Sequence, residues 1–383
     1  MKSILVISFS YLDKDARVTR QIQTLKKKYH VIAAGYSAPN SDEVDFFHIE
    51  DLSRSFFTKV RAIFFLIFKR YERVYWDSKC RILKRRLKSY LKDHRIDAVV
   101  VNDPSPLPLI TSLVQDHIKI ILDLHEYSPR EHEQSLIWRL FIQNYVMYQC
   151  QTYFKKVDCF MTVCQSIADE YKHVFSLENV GVVMNAPAYS LDCQIVVPTE
   201  NRIRMIHHGA AMRQRKLEKM IDVMNLLDER FSLDFMLMPS YDPDYLEWLK
   251  EYAKDNKAVN FIEPCAVDEI TSKINNYDIG IFILDNITNF SYTYSLPNKF
   301  FEFIQARLGI VVGPSPEMKS FVDRYNLGIV SDSFDSLSVV NALLKLDSEK
   351  IFTFKQNSDA VAKQLCAEVE QEKFLNLVNT CIN

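Results

Sequence analysis

Three stretches of this chain carry side chains able to handle an anion, a sugar hydroxyl or a proton. The first is Ser295-Leu296-Pro297-Asn298-Lys299-Phe300-Phe301-Glu302. It predicts a helix that Ser295 caps and Gly309 ends, with Pro297 in the first turn, where a missing N–H breaks no bond. Free N–H groups at such a start, reinforced by aligned peptide dipoles, attract an anion such as a diphosphate. Ser295 stands at that start. Asn298 and Glu302 stand four apart and share a face, so a carboxylate one turn in is set to accept hydrogen bonds from a sugar diol. The second stretch runs from His207 to Glu218. Its Gly209 lets backbone approach a ligand closely, and Arg213 and Arg215 suit phosphate. The third is Asp123-Leu124-His125-Glu126-Tyr127, an acid–imidazole–acid cluster that can steady a hydroxyl or move a proton. A capped surface helix, a basic turn and a structural histidine are the plainer readings of the same residues.

All three stretches follow short apolar runs that predict strands. Ser3–Ile7, Val31–Ala34, Ala98–Val101, Lys119–Leu122, Cys159–Val163 and Val182–Met184 form one series, with amphipathic helical patterns such as Ala16–Lys28 between them. A second series runs through Arg204–His207, Leu233–Met238, Val259–Ile262, Ile279–Leu284, Ile310–Val312 and Ile329–Ser331. Continuous apolar strands alternating with helices imply parallel sheets covered on both faces. The expectation is an α/β chain of two doubly wound, Rossmann-like domains facing across a cleft. Its parts are residues 1–190, a linker at 191–203, residues 204–357, and one last helical stretch over 358–383. Open sheets of this kind bind ligands at the carboxyl ends of their strands, where all three stretches fall.

Composition narrows the chemistry. The 383 residues are 48% hydrophobic and 25% charged, so a folded two-domain protein is expected and disorder is not. A net charge of −2 argues against a nucleic-acid partner held by bulk charge. The 8 cysteines are scattered without a Cys-x-x-Cys pair, and the 9 histidines form no ligand spacing, so no metal is expected. The start reads as a buried strand and not as a leader, which points to a reducing cytoplasm.

One segment departs from this balance. Residues 52–95 hold 14 Lys and Arg against three acids, and enclose seven consecutive apolar residues, Ala62 to Phe68. Basic charge beside an apolar run suits the anionic inner face of a membrane, with the chain peripheral to it. The competing reading is a helix that packs its apolar side on its own domain and leaves its basic side in water.

The motifs together resemble the GT-B glycosyltransferases of the retaining group 1, or GT4-like, family. Those carrying the likeness are Asp15-Ala16-Arg17-Val18, Asp123-Leu124-His125-Glu126-Tyr127, Met184-Asn185-Ala186-Pro187, His208-Gly209-Ala210 and Leu296-Pro297-Asn298-Lys299-Phe300-Phe301-Glu302. In order and spacing they span about residues 1–330. The resemblance implies an acceptor-side first domain and a second domain holding a nucleotide-sugar donor. Glu302 would bind ribose hydroxyls, while Gly209 and the backbone from Leu296 to Asn298 would line the diphosphate. Arg215 would neutralise phosphate and His125 would face the transferred sugar. Tyr294 stands where the family often has a second glutamate, and Ala210 and Ala211 replace the usual arginine, for which Arg213 is a substitute. It further implies no cofactor or metal, and a final helix returning to the first domain. The expected activity is sugar transfer with retention to a glycan or lipid-linked glycan in surface polysaccharide or glycolipid assembly. Other readings stay open: an inverting transferase with Asp15, His125 or Glu126 as base, a sugar-nucleotide epimerase, or a catalytically silent binding protein.

Overall fold

The computed structural model describes residues 1–383 except Asp42, Arg54 and 285–288. Arg54 of the basic segment therefore lies outside the described residues. The chain divides into two compact units. The first comprises Met1–Met184 with Asn289–Ser291 and Gln371–Asn383, and the second Asn185–Thr288 with Tyr292–Glu370.

The first unit is built on seven parallel strands: β1 (Ser3–Ile7), β2 (His30–Gly35), β3 (Asp45–His48), β4 (Ala98–Asn102), β5 (Lys119–Leu124), β6 (Cys159–Thr162) and β7 (Gly181–Val182). Their order is β3-β2-β1-β4-β5-β6-β7, a doubly wound sheet that reverses direction between β1 and β4. Ile4, Val6, Val100, Ile121 and Met161 form the core on one face, closed by Val18 and Ile22 of the helix Ala16–Leu25. Phe374 and Val378 of the last helix, Ala367–Ile382, join that core. The edge strand β3 gives no clear sequence signal, because only Phe47 of its four residues is buried.

The second unit repeats the plan with β8 (Ile203–Ala210), β9 (Phe231–Met238), β10 (Val259–Phe261), β11 (Ile279–Phe282), β12 (Gly309–Val312) and β13 (Gly328–Val330). The order β10-β9-β8-β11-β12-β13 is again all parallel and reverses between β8 and β11. Two such doubly wound sheets make the GT-B fold. Met205, Leu233, Phe235, Ile281 and Val311 are fully buried in this unit's core.

Several expected boundaries move. The units part between Met184 and Asn185, ahead of the expected linker. The first long helix stops at Leu25. The stretch after 357 is not one helix: Ser348–Ala362 ends in a turn, where the N–H of Leu365 meets the Val361 carbonyl, and Ala367–Ile382 begins afresh. No Pro or Gly marks that break.

Candidate functional site

In the second unit the decisive helix is Asn298–Gln305. Pro297 takes the N-cap, with extended backbone and no side-chain bond, because the Ser295 hydroxyl instead donates to the Tyr292 carbonyl at 2.9 Å. Ser295 is therefore not the cap. Gly309 is not the terminator either, since it begins β12. Arg307 holds the left-handed position after the helix, with φ 59°. A non-glycine residue can stay there because its guanidinium is fixed by Asp359 at 2.6 Å and by the Ser190 carbonyl at 3.0 Å. The helix lies close on the sheet because Gly280 of β11 leaves room: a Cβ there would stand 2.2 Å from the Phe303 ring.

That packing sets the helix beside the carboxyl end of β8. Gly209 has φ 115°, a conformation that favours glycine, and a Cβ on it would come within 3.2 Å of Lys299 Nζ. Lys299 is only 5% exposed. Its Nζ lies 3.2 Å from His207 Nε2 and 4.7 Å from the centre of the Phe282 ring. His207 Nδ1 lies 2.9 Å from the Ile281 carbonyl and must donate to it, so Nε2 is the acceptor and the lysine is the donor. Glu302, 8% exposed, has Oε2 3.4 Å from His208 Nε2.

Burial and the nearby Arg215 charge push the Lys299 amine well below its usual range, against the pull of Glu302. Burial, then Lys299, lowers His208 to about 3 and drives His207 down as well. A buried amine, two neutral imidazoles, a carboxylate and a bare stretch of backbone thus meet at one sheet edge. An anion entering such a pocket would favour the protonated form of the lysine.

The first unit carries a different cluster. His125 follows β5, Asn102 ends the neighbouring β4, and Asp103 comes directly after it. His125 Nε2 lies 2.9 Å from Asn102 Oδ1 and 3.4 Å from Asp123 Oδ2, and Nδ1 lies 3.6 Å from Asp103 Oδ2. The Asp103 carboxylate also accepts the His125 backbone N–H at 3.1 Å, from a left-handed backbone with φ 63°. Burial would lower the His125 pKa, but Asp103 and Asp123 outweigh it and lift the imidazole to about 9. It is an imidazolium at neutral pH.

Asp123 is fully buried and anchored by Arg17, whose Nε and second terminal nitrogen reach its two oxygens at 2.6 and 2.7 Å. Burial alone would raise this carboxyl; Arg17 and His125 hold it well below the ordinary range. The remaining Arg17 nitrogen donates to the Val183 carbonyl at 2.9 Å. Glu126 is exposed. The surrounding protein, Glu131 and Asp103 push its carboxyl up to about 7, an effect that water at its open side offsets in part. Asp15 caps the helix Ala16–Leu25, accepting the Val18 N–H at 3.1 Å and the Ser10 hydroxyl at 2.9 Å.

The Glycosyltransferase Family 4 model matches residues 16–186, almost all of them within the first unit. The first domain is thus similar to glycosyltransferase family 4, and the chain's two units together have the GT-B fold. Its fold is similar to sucrose-phosphate synthase from Thermosynechococcus elongatus, with TM-score 0.75, 11% identity and 99% of each chain covered. It is similar to WaaG, a glycosyltransferase involved in lipopolysaccharide biosynthesis, with TM-score 0.67, 14% identity and 97% and 98% of the two chains covered. It also resembles S. aureus TarM, solved with UDP and α-GlcNAc-glycerol, at TM-score 0.60 and 11% identity. That match covers 76% of this chain, which spans only 58% of TarM. Among curated proteins none matches the chain by sequence.

Within the second unit, Gly209 and Glu302 come to the same sheet edge, and Arg215 is close enough to act on Lys299 and His207. Leu296 is buried, Pro297 and Tyr294 are half-buried, and Asn298 is exposed. Arg213 is engaged elsewhere, as its Nε donates to Asp242 at 2.7 Å and its guanidinium lies 4.7 Å from the centre of the Tyr245 ring. Its charge is already met there. Lys299 and His208 are the residues that sequence reasoning passed over. The signal for Lys299 was its place beside Pro297 at the helix start.

Proposed function

We propose that this glycosyltransferase moves a sugar from a UDP-sugar to an acceptor hydroxyl with retention of configuration. The observation that carries the reading is the meeting of Gly209, Lys299 and Glu302 at the end of β8. Glu302 suits the ribose diol. The Gly209 backbone, the Lys299 amine and the start of the helix Asn298–Gln305 suit the diphosphate, with Arg215 adding charge. UDP in the TarM structure supports a uridine donor by likeness of fold. Side chains and the helix dipole suit the leaving charge, and the reading invokes no metal or cofactor.

In the reaction the acceptor oxygen bonds to the anomeric carbon as the bond from that carbon to the diphosphate oxygen breaks. The acceptor proton passes to the leaving diphosphate. His125 is an imidazolium between two carboxylates, so it donates a hydrogen bond to the sugar and has no lone pair for a proton. An imidazolium is a poor base, which favours the retaining reading over an inverting one through His125. Glu126 keeps the inverting reading alive, because a carboxyl raised toward neutrality suits a general base. The anomeric configuration of the product separates the two. The acceptor is proposed to be a glycan or lipid-linked glycan, in line with the lipopolysaccharide role stated for WaaG, and the protein to work in the cytoplasm.

A further inference from the structure

The basic segment divides into two unlike parts. The helix Ser78–Asp93 buries Cys80, Leu83 and Leu87 in the first domain and turns its charges to water. Several of those charges are used locally: Lys79 bonds the carbonyls of Asp51 and Ser53, and Arg86 bonds Glu50. This half follows the plainer reading of the sequence.

The helix Phe56–Ile67 does the opposite. Ala62 is its only buried residue. Phe57 is 83% exposed, and Phe56, Val60, Ile63, Phe64, Ile67 and Phe68 are all exposed with it. A second element adjoins it. Residues 135–142, which include the wide helical turn Trp138–Ile142, tuck Trp138 inward and leave Leu136, Ile137, Leu140 and Ile142 exposed, with Ile137 at 69%. Eleven large apolar side chains thus face outward from two neighbouring elements. Exposed patches of that extent mark a partner surface.

The base beneath them is firmly built. Glu72 accepts hydrogen bonds from Trp76 Nε1 and Tyr148 at 2.9 Å each and from Tyr153 at 2.6 Å. The Tyr71 ring packs at a tilt against Tyr148 with centres 4.9 Å apart, and the Arg73 guanidinium lies over Phe65 at 5.8 Å. The apolar residues are held out by a fixed scaffold.

Charge identifies the occupant. Residues 55–71 and 135–142 contain Lys59, Arg61, Lys69, Arg70 and Arg139, every one exposed, and no Asp or Glu. A protein partner of mixed charge would not call for that one-sided set, whereas anionic headgroups above an acyl layer complement both the cations and the apolar side chains. At 12 residues the helix is about 18 Å long, too short to cross a bilayer core of about 30 Å. Among the described residues no helix is long and apolar enough to do so.

We propose that the helix Phe56–Ile67 and residues 135–142 together seat the first domain on an anionic lipid bilayer, with the phenylalanine and isoleucine side chains entering the acyl boundary. The seat stands apart from the donor reading, because it is read with neither donor nor acceptor present. The test is sedimentation of the full chain with vesicles of phosphatidylcholine, alone or mixed with phosphatidylglycerol. The wild type should bind the mixed vesicles and lose affinity as salt rises, and should bind the neutral ones far more weakly. Phe57→Ser with Phe64→Ser, and separately Ile137→Ser with Leu140→Ser, should each lower partitioning about tenfold or more. These side chains are exposed, so both variants should melt like wild type. Failure of the wild type to bind mixed vesicles overturns the proposal, as does normal binding by the second variant. Self-association of the wild type without vesicle binding would hand the surface to a second copy of the chain and overturn it too.

Discussion

Replacing Lys299 by methionine removes one amine from the proposed donor pocket and keeps most of the volume. In the free protein His207 Nε2 loses its partner at 3.2 Å, a loss of about 1–3 kcal/mol. That loss is offset because an amine pushed toward neutrality is no longer buried. The variant should therefore fold. In the complex, the wild-type amine makes a charge-assisted hydrogen bond to the diphosphate, worth about 1.5–3 kcal/mol net. Its removal should weaken UDP binding by about 10- to 150-fold. A second signature comes from protons. Burial and Arg215 depress the Lys299 pKa, and a bound diphosphate should raise it and so favour proton uptake by the amine. Affinity is then full below the free amine's pKa and fades as pH rises through the higher pKa of the complex. Calorimetric titration of UDP near pH 8, in two buffers of different ionisation enthalpy, should show uptake of up to about one proton in the wild type and much less in Lys299→Met. Equal affinity and equal uptake in the two proteins would refute the assignment of Lys299 to the diphosphate.

Two further outcomes concern the first domain. His125, lifted to about 9, keeps its charge and its stabilising ion pairs fully below its ordinary pKa of about 6.5 and loses them as pH rises through about 9. Turnover should fall on that alkaline limb, and Asp103→Asn should move the limb toward neutrality by about one pH unit or more, because Asp103 is the largest of the groups raising it. Asparagine tolerates the left-handed backbone at that position, so a pH–rate profile reads the charge and not a folding defect. Arg17→Met leaves Asp123 buried without its bidentate partner. Denaturant unfolding followed in the first domain should show a loss of about 3–5 kcal/mol.

Strand cores were legible because runs such as Ile4–Ile7 and Ala98–Val101 are apolar throughout, as a sheet buried on both faces requires. Gly209 and Glu302 were legible because each breaks its local pattern, Gly209 near the carboxyl end of β8 and Glu302 among the phenylalanines of its helix. The rest depends on contacts between distant residues. Arg17 and Asp123 are 106 apart in sequence, and no local pattern tells an arginine in an amphipathic helix that it will face inward. Lys299 reads as a surface charge until the β8 end is laid against its helix. Arg213 reads as a phosphate ligand until Asp242, 29 residues on, takes it. The apolar run from Ala62 to Phe68 reads equally well as core or as surface, and only the fold shows its neighbours to be exposed.

The most direct measurement is proton NMR of the chain incubated with α-linked UDP-sugars and a simple hydroxyl acceptor, following the anomeric signal of donor and product. UDP release with an α-configured product is the predicted result. A β-configured product would shift the chemistry to Glu126 as base, and intact donor across the whole UDP-sugar series would contradict transfer from a UDP-sugar altogether.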